Sequence, residues 1–75
     1  MIVNASAYPV RLMPLPEDEG GGFVAWVPDL PGCMSDGETE VEAVQNVQQA
    51  ITEWIEEARR EGTPIPAPSR QAVSA

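Results

Sequence analysis

Between Thr39 and Gly62 the chain carries one long amphipathic helix pattern, and no second segment repeats it. Thr39 offers an N-cap hydroxyl, and Glu42 completes a capping box. Glu38, Glu40 and Glu42 stand at the positive end of the helix dipole, where acids are favoured. Apolar residues recur at Ala43, Val44, Val47, Ala50, Ile51, Trp54, Ile55 and Ala58, a stripe of helical period. The opposite face carries Glu42, Gln45, Gln49, Glu53, Glu56 and Arg60, with Glu56 and Arg60 in the favourable i,i+4 order. Arg59 and Arg60 close the last turn, and Gly62 suits the left-handed residue after it. A lone helix with one apolar stripe must bury that stripe on something else, and the rest of the chain is too short for another helix.

What precedes it reads as sheet. Tyr8, Val10 and Leu12 alternate with Pro9, Arg11 and Met13 up to Pro14 and Pro16. Glu17-Asp18-Glu19-Gly20-Gly21-Gly22 reads as a flexible acidic turn, and Phe23 to Val27 as the return strand of an antiparallel hairpin. That strand is apolar on both faces: Phe23, Ala25 and Val27 on one, Val24 and Trp26 on the other. Pro28-Asp29-Leu30-Pro31-Gly32 forms a corner. Cys33-Met34-Ser35 reads as a third strand before Asp36-Gly37 turns again. Thr63 to Ser69 has proline at alternate positions and is extended, with Ile65 able to lie along a sheet edge. The expected fold is α+β: a three-stranded antiparallel sheet packed on one amphipathic helix, with a short C-terminal extended segment (β-β-β-α-β). Residues 1–68 form one domain and 69–75 a flexible tail. One helix covers one sheet face, so Met13, Val24 and Trp26 on the other face are the expected oligomer interface.

Size and charge narrow the function. A chain of 75 residues buries about 60% of its unfolded surface, which leaves it marginal alone. One cysteine and no histidine exclude an intrachain disulfide and a cysteine-pair metal site. Oligomerisation or a partner is then the available support. The net charge of −8, with four arginines and no lysine, argues against binding a nucleic-acid backbone. It suits a basic protein partner, or serves solubility alone. Cys33 has no histidine to activate it and reads as a small buried thiol. The triple glycine has no lysine and leads into a strand, so it is not a phosphate loop. Asp29 and Asp36 are the candidates for a metal-dependent nuclease, but most acids lie in turns or on the solvated helix face. No catalytic residue, cofactor or metal site is assigned. With no signal-peptide pattern and no apolar run of membrane length, the cytoplasm is the expected location.

Four pieces taken in order resemble HicB-family antitoxins. They are Tyr8-Pro9-Val10; Gly22-Phe23-Val24-Ala25-Trp26-Val27-Pro28-Asp29-Leu30-Pro31-Gly32-Cys33; Asp36-Gly37-Glu38-Thr39 leading to Glu42-Ala43, with Asn46 and Ala50-Ile51; and Gly62 with Pro64-Ile65-Pro66. The resemblance implies a partial RNase H-like fold without its catalytic carboxylates. It also implies a partner, HicA, a small basic toxin that cleaves messenger RNA with a histidine. Many members carry a C-terminal DNA-binding domain, which would begin soon after Pro66, so promoter binding is not expected of these residues. On this reading the toxin meets the acidic helix face of Glu42, Gln45, Gln49, Glu53 and Glu56, or the acidic tip of Glu17, Asp18 and Glu19. The alternative is a self-associating structural or regulatory module with no toxin partner.

Overall fold

The computed structural model describes residues 7–69. Three strands, β1 (Arg11–Pro14), β2 (Phe23–Trp26) and β3 (Met34–Gly37), precede one helix, α1 (Glu40–Glu61). The strands form one antiparallel sheet in the order β1-β2-β3. The α+β architecture expected from the sequence is therefore observed.

Period-two alternation sorts the strands into two faces. Ala25 and Val27 are buried, Leu12 and Phe23 pack beside them, and α1 covers this side with Ala43, Val47, Ile51 and Ile55. On the other side the register aligns Arg11, Trp26 and Met34 in one row and Met13, Val24 and Asp36 in the next. The helix is capped as its sequence demands. Thr39 Oγ1 accepts from the Glu42 amide at 3.1 Å, and the Glu42 carboxylate accepts from the Glu38 amide at 3.3 Å, one residue earlier than in a regular capping box. Gly62 takes a left-handed φ of 72° and donates back to Ala58 and Arg59.

The corner between β2 and β3 is part of the core. Amide bonds from Leu30 to the Val27 carbonyl (3.1 Å) and from Cys33 to the Leu30 carbonyl (3.0 Å) fold it inward. Leu30 is thereby fully buried, among the largest side chains in the protein to be so. Trp54 Nε1 donates to the Pro31 carbonyl at 3.0 Å, tying the corner to α1. Asp29 accepts from the Ser69 amide at 2.7 Å and from its hydroxyl, and the Tyr8 hydroxyl donates to the Pro66 carbonyl. The segment after the helix is thus strapped across the open end of the β1–β2 hairpin. Of the expected tail, Ser69 is held in this way, and residues 70–75 lie outside the described residues.

Four local expectations are corrected. Residues 63–69 form no strand, although Ile65 packs on the core; prolines at 64, 66 and 68 remove the amides a ladder needs. The third strand is Met34–Gly37, later than Cys33–Ser35, because Asp36 and Gly37 pair with Val24 and Phe23 and do not turn. Gly37 is a point of close approach: a Cβ there would lie 2.5 Å from the Ala43 nitrogen and 2.8 Å from the Glu42 carbonyl carbon. Arg60 pairs with Glu57 and not Glu56, an i,i+3 neighbour being as near on a helix surface as i,i+4. The acidic turn is a hydrogen-bonded single 3-10 turn, Glu17–Glu19, closed by amides of Glu19, Gly20 and Gly21 onto Pro16 and Glu17. Gly20, Gly21 and Gly22 all have positive φ, which explains three consecutive glycines.

Candidate protein-interaction surfaces

The acidic helix residues singled out from the sequence do share one exposed face. Glu42, Gln45, Gln49, Glu53 and Glu56 are all exposed on α1, away from the buried stripe. Their surroundings differ. Glu42 is spent partly on capping, and its side borders a polar cleft of about 590 Å³ shared with Gly20–Gly22, Asp36 and Asn46. That cleft brings the start of α1 next to the hairpin tip, so the two acidic patches adjoin at one end of the molecule. Gln49 Nε2 reaches Glu53 only at 3.5 Å, the outer limit of a hydrogen bond. Glu17, Asp18 and Glu19 are exposed, and the turn buries nothing.

The bare face of the sheet holds the three residues expected there and one more. Met13 and Met34 are 47% and 60% exposed, while Val24 and Trp26 are half-buried between them. Met34 was not singled out from sequence. Alternation supplies the signal: with Cys33 buried, its neighbour must face outward. Arg11 and Asp36 occupy opposite corners of this patch.

Between β3, the corner and the second half of α1 runs a groove of about 480 Å³ that sequence reasoning missed. Cys33, Ala50 and Trp54 line it, and Glu53, Glu57 and Glu61, one helical turn apart, stand along its rim. The signal was available as the i,i+4,i+8 spacing of those three acids, which places them on one flank.

The candidates for reactive chemistry are placed apart from one another's work. Burial pushes the Cys33 thiol above its ordinary pKa, which keeps it protonated and weakly nucleophilic. Asp29 serves the strap: the Ser69 hydroxyl first, and then the Ser69 amide, hold its carboxyl below the usual aspartate range. Asp36 lies in β3, where its carbonyl accepts from Asn46 Nδ2 at 2.8 Å. Among the described residues no three histidine, cysteine, aspartate or glutamate side chains gather around a possible metal position. No described helix is long and apolar enough to cross a membrane.

Comparison with known proteins adds what geometry alone does not. A family profile described as HicB-like antitoxin of bacterial toxin-antitoxin system matches residues 8–74. A UPF0150 protein of Thermoplasma acidophilum is 36% identical over 58 residues, which are 77% of this chain and 84% of that protein. Two UPF0150 proteins of Synechocystis are also similar. One is 42% identical over 69% of this chain and 66% of its own length. The other is 35% identical over 80% of this chain and 78% of its own.

Proposed function

The chain belongs to the HicB-like antitoxins of bacterial toxin-antitoxin systems, and from that premise we propose that it neutralises a small basic mRNA-cleaving toxin of the HicA type by covering the toxin's active surface. The observation that carries this reading is the gathering of exposed acids at one end of the molecule. The glycines that follow the exposed tip residues Glu17, Asp18 and Glu19 line one polar cleft with Glu38 and Glu42 at the start of α1, and Gln45, Gln49, Glu53 and Glu56 continue the surface along the helix. Complementary charge steers such a chain onto a basic partner and sets its orientation. The chain acts as a binding module in the cytoplasm, on a partial RNase H-like scaffold, and performs no chemistry of its own.

The test is co-expression with a small basic toxin of the HicA type. The reading expects growth to be restored and the two chains to purify together. Toxicity that persists with both chains present and no complex formed would end it.

A second reading has its own observation. The patch of Met13, Val24, Trp26 and Met34 leaves large apolar side chains uncovered, and self-association would bury them. It is compatible with toxin binding, since this patch and the helix face lie on opposite sides. Sedimentation of the purified chain tests it: a dimer or larger species at micromolar concentration supports it, a monomer removes it.

A further inference from the structure

The two edges of a sheet expose backbone groups, and on β3 those groups can be named. The Val27 amide bonds to the Cys33 carbonyl at 3.0 Å, which makes that pair a hydrogen-bonded one. Antiparallel pairs alternate, so Ala25–Ser35 and Phe23–Gly37 are hydrogen-bonded too. Met34 and Asp36 then turn their amides and carbonyls toward the free edge. The Asp36 carbonyl is already taken by Asn46 from α1, which blunts the edge at that point. Met34 has no such cover among the described residues, and it lines the groove beside α1. An open pair of backbone groups, an apolar floor of Cys33, Ala50 and Trp54, and an acidic rim thus meet in one place.

The rim is not evenly free. Glu57 is paired with Arg60 of the same helix, whereas Glu53 and Glu61 form no ion pair among the described residues. Trp54 spends its indole N–H on the Pro31 carbonyl, which fixes the ring against the corner. A pinned aromatic ring between two unpaired carboxylates suits a long cationic side chain, whose stem packs on the ring while its charge reaches the acids.

We infer that this groove receives a short extended basic segment of a partner protein, which pairs with the Met34 backbone at the β3 edge, lays apolar side chains on Ala50 and Trp54, and places arginine or lysine against Glu53 and Glu61. This rests on the antitoxin reading for the partner's basic character, and adds where and in what conformation the partner is held. The Asn46–Asp36 bond limits the pairing, so the segment leaves the edge beyond Met34.

The probe is a short synthetic peptide alternating lysine and leucine, compared with oligolysine of equal charge. The expected result is slowed amide exchange at Met34, a shift of the Trp54 indole resonance, and binding at least about tenfold tighter than oligolysine. E53K/E61K should weaken it about tenfold, E53Q/E61Q less, and charge reversal at Glu17 and Asp18 little. Equal binding of the two peptides, or an unprotected Met34 amide, overturns the inference. In the toxin complex, a partner that binds the E53K/E61K chain as tightly as the original refutes the groove and leaves the antitoxin reading standing. A toxin that binds neither chain refutes that reading, while the peptide titration still decides the groove.

Discussion

The molecule has two turns built from similar residues, and they do opposite things. The corner at Pro28–Cys33 and the tip at Pro16–Gly22 both join antiparallel neighbours, both use proline and glycine, and both close on their own backbone hydrogen bonds. The corner also drives Leu30 into the core, receives the Trp54 indole through Pro31, and holds Ser69 through Asp29. The tip buries no side chain and presents three acids to solvent. Buried side chains, Leu30 above all and Cys33 beside it, separate them. A turn that inserts a side chain becomes part of the scaffold, and a turn that inserts none is left available to a partner.

Leu30→Ala breaks that comparison most directly. Emptying a fully buried leucine position should cost about 2–5 kcal/mol, close to the whole stability of a domain this small, whereas alanine at Glu17, Asp18 or Glu19 should stay within about 0.5 kcal/mol. Urea melts of the four variants measure both, and equal costs would erase the distinction. Gly37→Ala tests the other close approach. Its Cβ would meet the backbone of Glu42 and Ala43, so α1 must shift, at about 1–3 kcal/mol in the same melts.

Smaller effects belong to the strap. Tyr8→Phe keeps the buried ring and removes the hydroxyl bond to Pro66, which should cost about 1 kcal/mol. Burial first, and the Asp29 charge second, raise the Tyr8 pKa, so the native chain should lose this support as the pH climbs through the tyrosine range. The Phe variant should lack that alkaline step. The Asp29 carboxyl is depressed by Ser69. Its contribution is present above the ordinary aspartate pKa and disappears as the pH falls through the lowered value. The smallest expected change is in Ser69 amide exchange, which should speed up in that acid window and, in Asp29→Asn, at neutral pH as well.

How much of this was legible in sequence follows from the range of each interaction. Local periodicity and capping revealed α1, its buried stripe and the two faces of β2, since those depend on residues one to four positions apart. The outward position of Met34 was available from the same alternation. Gly37 was misread because its small size matters only against Ala43 and Glu42 in a packed structure, and in isolation Asp-Gly signals a turn. From sequence Asp29 reads as a possible nuclease carboxylate, and its bond to Ser69, 40 positions away, has no local pattern. The acidic candidates are exposed, but that Glu42 borders a polar cleft and Glu53 an apolar-floored groove arises only when β3 and α1 come together.

The central claim is that a gathered acidic surface holds a basic toxin. Calorimetric titration of the purified chain into a small basic HicA-type toxin, at low and at raised salt, tests that claim most directly. The account predicts a saturable complex whose affinity falls as salt rises, because charge steers and orients the partners. It further predicts a weaker complex when Glu17, Asp18 and Glu53 are reversed to lysine. Binding that ignores both salt and these reversals would contradict it.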